Sequence, residues 1–163
     1  MGGPGPLTHL LLTVGRPKAA YIQQGLEEYL QRLRPYGGAA LASVKAARAA
    51  KNTPPAQVLA AEGQNLLARL QDRDLVWALE RQGRAWSSAQ WARRLDRARQ
   101  SGRPRLVLVI GGALGLDRAV QQRAEALVSL GPATLAHELA ALVAAEQLYR
   151  ACTILAGTPY HRV

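Results

Sequence analysis

Leu106 to Leu116, read LVLVIGGALGL, is the stretch that decides the fold: five unbroken apolar residues, a glycine pair at Gly111 and Gly112, and a third glycine at Gly115. A run that short, rich in β-branched side chains and bounded by glycine, is the signature of a strand buried on both faces, as in a parallel sheet. Parallel sheets place ligands at the carboxyl ends of their strands, and glycine lets the backbone approach a ligand where a Cβ would obstruct it. The same residues read equally well as a tight strand-to-helix turn with no ligand.

Working outward, the chain alternates strand and helix. On the amino-terminal side, Ser87 or Ser88 caps a helix with Trp91 and Leu95 on one side and arginines on the other, and Ser101 to Pro104 ends it. Before it, Leu75 to Leu79 reads as a strand with a polar exit over Glu80 to Gly83. Asn52 places a capping side chain ahead of Pro54 and Pro55, and the helix so opened should run to about Leu70 with Val58, Leu59, Leu66, Leu67 and Leu70 inward. Ala39 to Val44 is an alanine-rich strand, and Leu10 to Val14 is the first one. Between those two, Tyr21, Ile22, Leu26, Tyr29, Leu30 and Leu33 recur at helical spacing within Ala19 to Leu33.

On the carboxyl-terminal side, Asp117 is an N-cap for a helix from Arg118 to about Leu127. Leu130 to Ala136 has room for only a very short strand. His137 to Leu155 is an almost wholly apolar helix, which must be buried nearly all round, inside the domain or against a second subunit. The alternation predicts an α/β fold, a parallel sheet with helices on both faces.

Composition narrows the function classes. A chain of 163 residues with 48% hydrophobic content is expected to form one domain, residues 7–163, behind a loose leader from Met1 to Pro6. That leader lacks the positive n-region of a signal peptide, and the single Cys152 suits a reducing compartment, so a cytoplasmic protein is expected. No segment has about 18 consecutive apolar residues, so no membrane span is expected. Twenty-one Lys and Arg against eleven Asp and Glu give a net charge of +10, which favours polyanions and nucleic acid first. The densest part lies between Arg81 and Arg105, where only Asp96 opposes eight arginines. Such a run is either a solvated helix face or a nucleic-acid surface.

Familiar catalytic signatures are missing. Ala113 stands where a dinucleotide fingerprint needs its second glycine, no Lys-Ser/Thr follows for a phosphate loop, and no G-x-S-x-G element is present. His9, His137, His161 and Cys152 show no ligand spacing, so no metal is expected. Tyr160, His161 and Arg162 bring an aromatic, an imidazole and a guanidinium together in three consecutive positions, with Pro159 stiffening their approach. A neutral-range imidazole beside a permanent cation suits proton removal and phosphate binding; a terminus without a role is the plainer reading.

Several motifs together resemble the RlmH family of SPOUT methyltransferases: VGRPK after the first strand, GLEEYLQRL in the first helix, LVLVIGG-x-x-GL, EQLYRA, and a terminal PYHR. The similarity runs from about Leu7 to Val163. It implies an α/β fold with a C-terminal trefoil knot, a homodimer, S-adenosylmethionine as cofactor, and methylation of N3 of a pseudouridine in 23S ribosomal RNA within the ribosome. Carried over by position, it places cofactor contacts at Leu79, Gly111, Gly131, Pro132, Ala133, Thr134, Leu135 and Ala136, and catalytic roles at Tyr160, His161 and Arg162. The sequence departs from the family at Ala113 and Leu114, where Pro and Glu are usual, and at Ala141, where Arg is usual. The competing reading is a non-catalytic basic RNA-binding or ribosome-associated protein.

Overall fold

The computed structural model of the chain describes residues 6–162, so the expected leader, Pro6 apart, lies outside the described residues, as does Val163. Five strands, β1 (Thr8–Val14), β2 (Ala39–Val44), β3 (Leu75–Ala85), β4 (Arg105–Ile110) and β5 (Ala126–Ser129), make one sheet in the order β2-β1-β4-β3-β5. All of its pairings are parallel. The helices are α1 (Ala20–Arg32), α2 (Pro55–Leu67), α3 (Ser88–Gln100), α4 (Arg118–Arg123) and α5 (His137–Ala156).

The apolar run Leu106 to Ile110 forms β4, as its pattern predicts. Leu106, Leu108 and Ile110 of β4 enter one core with side chains of α1, α3 and α5, while Val107 and Val109 enter the other with α2 and α4. The period of two sends successive side chains to opposite faces, and with both faces covered every residue of the run is apolar. The α3 cap is also as expected, with Ser87 and Gln90 forming a reciprocal capping box.

Other expectations need correction. The polar exit after Leu79 is not a loop. β3 continues to Ala85 and, across an irregular register, pairs Arg84 with Val128 and Ala85 with Ser129. Gly83 permits this approach, since a Cβ there would stand 2.6 Å from the backbone carbonyl of Leu127. The helix expected to reach Leu127 stops at Arg123, and β5 takes its place. Glu125 is the reason: its backbone N–H donates to the Val76 carbonyl at 2.9 Å and its carboxylate accepts from the Val76 N–H at 2.7 Å, laying the chain along β3. Tertiary pairing here overrides the helix propensity of an Ala-Glu-Ala-Leu sequence.

Three smaller differences follow. Asn52 does not cap α2, whose N-cap is Pro54 with no side-chain bond, and Thr53 instead accepts from the Ala50 N–H at 2.9 Å. Tyr21 is 68% exposed, because its position falls outside the stripe of α1 that holds Ile22 and Leu26. α5 is long and apolar enough to cross a membrane by length and composition, yet it packs beside α1 and α3, with one face fully buried and the rest half-buried.

Candidate active site

The carboxyl ends of β3, β4 and β5 converge on an open cleft with a cavity of about 140 Å³. Its walls are Leu79, Ile110, Val128 and Leu130, its turn is Gly111, Gly112 and Gly115, and the loop Gly131 to Leu135 and the first turn of α5, His137 and Ala140, close it. Glu80, Arg81, Ser129 and Thr134 supply its polar side chains. A mostly apolar concavity with a few convergent polar groups is what a small-molecule site requires.

Two glycine segments shape it. A Cβ on Gly111 would lie 2.4 Å from the Gly115 carbonyl oxygen, so this glycine lets the turn close on itself, fastened by the Gly115 N–H donating to Gly112 O at 3.1 Å. Gly131 has φ +132°, a conformation that L side chains rarely adopt, and no atom lies within 4 Å of where its Cβ would stand. Ser129 holds that bend from both sides, its hydroxyl donating to the Gly131 carbonyl at 3.0 Å and accepting the Gly131 N–H at 3.2 Å. From Pro132 to Leu135, no backbone group bonds another backbone group among the described residues. Peptide groups left unpaired beside an apolar cleft are donors and acceptors for a heteroaromatic ligand. An adenosyl group fits this chemistry, its ring against apolar walls and its edges against peptide groups.

Six of the expected cofactor positions, Leu79, Gly111, Gly131, Ala133, Thr134 and Leu135, line the cleft together. Pro132 and Ala136 belong to the same loop but do not line it, and Ala136 is the N-cap residue of α5. Sequence reasoning missed Arg81, whose guanidinium donates to Thr134 Oγ1 at 3.2 Å, and Glu80, Ile110, Ser129, His137 and Ala140. Of these only Ile110, the last residue of a buried strand ahead of the glycine turn, carries a signal in the sequence. The amino end of α1 is also tied to this region. Glu138 accepts from the N–H groups of Lys18 and Ala19 at 3.0 and 3.2 Å, supplying the cap that α1 lacks locally. Those two bonds hold its carboxyl below the usual carboxylate range.

The tail is elsewhere. Tyr160 donates to Glu146 Oε1 at 3.0 Å, lies 3.3 Å from the Tyr29 hydroxyl and packs edge-on against Tyr149, with the Arg150 guanidinium 4.8 Å from its ring centre. Burial, then the bonds to Tyr29 and Glu146, push its phenol well above the ordinary range. Arg150 also pairs with Glu146 and approaches His161 Nδ1 at 3.3 Å. A guanidinium only donates, so Nδ1 is the acceptor and the ring proton sits on Nε2. Arg162 is exposed. None of the three lines the cleft of its own chain. Glu146 is nine residues beyond His137, roughly 14 Å along α5 at the helical rise.

At the two departures from the resemblance, Leu114 is 49% exposed at the tip of the glycine turn and Ala141 is fully buried against the core. α5 therefore presents no cation at that position. Among the described residues no group of three His, Cys, Asp or Glu side chains is placed to hold a metal.

A parallel α/β sheet with a glycine-turned cleft at its strand ends is the architecture of the ligand-binding α/β proteins. The family model described as "Predicted SPOUT methyltransferase" matches residues 7–161. Proteins named ribosomal RNA large subunit methyltransferase H are similar over nearly the whole chain: that of Anaeromyxobacter sp. (strain Fw109-5) is 45% identical over 93% of this chain and 97% of its own length. Those of Limosilactobacillus fermentum and Carboxydothermus hydrogenoformans are 38% and 37% identical, each over 93% of this chain and 98% of theirs. A crystal structure of a hypothetical protein superposes with a TM-score of 0.52 at 24% identity, covering 92% of this chain and 81% of that one, which speaks for the fold alone. The chain belongs to the SPOUT methyltransferase family, within the group of the large-subunit ribosomal RNA methyltransferases H.

Proposed function

We propose that this chain transfers a methyl group from S-adenosylmethionine to N3 of a pseudouridine in 23S ribosomal RNA, acting on the ribosome as a cytoplasmic homodimer. The observation that carries the reading is the cleft at the ends of β3, β4 and β5, bordered by a loop whose peptide groups from Pro132 to Leu135 have no backbone partner among the described residues. When bound, S-adenosylmethionine supplies an electrophilic methyl group. Leu79, Ile110 and Val128 would hold its apolar part, and the Gly131 to Ala136 loop would offer it peptide donors and acceptors.

N3 of the base carries a proton that must leave as the new N–C bond forms, and a nearby base or cation lowers that barrier. In this reading His161 receives the proton, Arg162 steadies the developing anion or a phosphate, and Tyr160 gives the base a surface to stack on. His161 Nδ1 is occupied by the Arg150 guanidinium, so that contact must open before this nitrogen can meet the base. The tail is docked away from its own cleft, so a second copy is needed to bring tail and cleft together. The half-buried Leu142 and Val143 on α5 are the apolar surface such a copy would cover. The trefoil knot implied by the family is part of the same proposal, and the placement of β5 beside β3 with the loop from Gly131 returning into α5 supports it.

The experiment is a labelled-methyl assay on ribosomes lacking the modification, with calorimetry of S-adenosylmethionine alone. Binding and transfer to 23S RNA are expected. A chain that binds RNA but not the donor is the non-catalytic RNA-binding protein instead. Unchanged single-turnover transfer by His161→Ala would remove the base assignment.

A further inference from the structure

The arginine run does more than coat a helix. Arg93, Arg94 and Arg97 of α3 recur at helical spacing and meet Arg84, which comes from the outer end of β3, around Trp86 and Gln90 in a groove of about 460 Å³. Arg94 lies 5.1 Å from the centre of the Trp86 ring. That ring is itself wedged edge-on against Trp77 and Trp91, at 5.1 and 5.4 Å between centres, and Trp91 is fully buried. The floor is therefore rigid. None of the four guanidiniums forms an ion pair or hydrogen bond among the described residues, and no carboxylate lines the groove. Like charges gathered without a counter-charge repel one another, and a polyanion laid in the groove would relieve that repulsion.

The groove also continues from the cleft. Leu79, Glu80 and Arg81 line the cleft, and Arg84 lies farther along the same strand, where the register shift sets it, like Leu79, beside Val128 of β5. The β5 partner of Arg84, Val128, is itself a cleft residue. The geometry points to the Arg84/Arg93/Arg97 groove as the seat of the RNA sugar-phosphate backbone flanking the target nucleotide, with Arg94 and Trp86 as its stacked floor. This inference rests on the proposed RNA substrate and adds where that RNA lies. Guanidiniums suit the role because each meets two phosphate oxygens at once. Contacts of this kind fix position without reading sequence.

The test compares two charge-matched triple variants of the full chain. One is Arg84→Gln, Arg93→Gln, Arg97→Gln. The other is Arg48→Gln, Arg69→Gln, Arg118→Gln, around α2 and α4 on the opposite face of the sheet. Each is titrated with a labelled RNA stem-loop across a salt series, with S-adenosylmethionine calorimetry and a thermal melt alongside. The groove variant is expected to lose about 2 from the slope of log affinity against log salt, at about 0.7 per lost phosphate contact. Its donor affinity should be unchanged and its melting temperature no lower. An unchanged slope, or an equal loss in the opposite-face variant, overturns the groove. So does groove-dependent binding to phosphatidylserine vesicles with RNA binding intact. Failure of donor binding in the unaltered chain would instead sink the methyltransferase reading and leave the groove to be judged on its slope.

Discussion

The Tyr160 hydroxyl donates to Glu146 Oε1 at 3.0 Å, fastening the end of the chain to the second half of α5 while the cleft opens at the first turn of the same helix. A phenol that donates to a carboxylate in a partly dry site resists ionisation. The alkaline absorbance titration of the chain minus that of Tyr160→Phe should therefore show a phenol well above the ordinary value of about 10. Glu146→Gln should bring it back toward that value. A Tyr160 that titrates normally in the unaltered chain would mean the tail is not docked there.

Gly131 bends the loop beside the cleft at φ +132°. Gly131→Ala is expected to weaken S-adenosylmethionine at least tenfold, equivalent to about 1.4 kcal/mol, because the loop must shift to relieve a strain of roughly 1–3 kcal/mol. Calorimetry checks this. Full donor affinity in the variant would show that the bend does not shape the site.

Asp74 is fully buried and accepts Arg105 Nε at 2.9 Å, Arg105 Nη2 at 2.6 Å and the Gln71 N–H at 2.7 Å. Those bonds raise the Arg105 pKa above its ordinary value. Removing one member of such a pair leaves the other without its charge partner, so Asp74→Ala should cost about 3–5 kcal/mol. A urea midpoint that falls with an unchanged slope is the expected result.

His9 is buried in β1, and its Nδ1 lies 2.8 Å from the Gly38 carbonyl. A carbonyl only accepts, so Nδ1 carries the proton and buried Nε2 is left without a partner among the described residues. Burial, outweighing the bond to Gly38 and aided by Arg99, lowers its pKa from 6.5. The unfolded chain then binds the proton first. Stability is full above about pH 6.5 and declines as pH falls toward the folded-state value. Urea midpoints between pH 7 and 5 should decline less in His9→Gln than in the unaltered chain, and parallel declines would exclude His9 as the source.

Cys152 is fully buried, and desolvation pushes its thiol up to about 11 despite Arg99 Nη2 donating to Sγ at 3.4 Å. Only the thiolate is nucleophilic, so alkylation by iodoacetamide at neutral pH should proceed only as fast as the chain opens. Rapid labelling of the folded protein would contradict this burial.

The strand Leu106 to Ile110, the Ser87 cap and the Asp117 cap were legible because each is dictated by neighbours in sequence: an apolar run between glycines, or a hydroxyl or carboxylate ahead of a helix. The loop from Gly131 to Ala136, proposed to hold the cofactor, was legible only through the resemblance, since its side chains carry almost no chemistry and its peptide groups are the candidate contacts.

By itself the sequence determined the alternation of strands and helices, the two-faced burial of the central strand, and the surplus of arginine. Tertiary structure alone decided that Glu125 turns a helix-prone segment into β5, that Glu138 caps a helix 119 residues upstream of it at Ala19, and that Arg84 meets the arginines of α3. Hydrogen-bond periodicity along a segment is local and shows in residue order, whereas a carboxylate's choice of amide or the convergence of charges is settled only when distant elements pack.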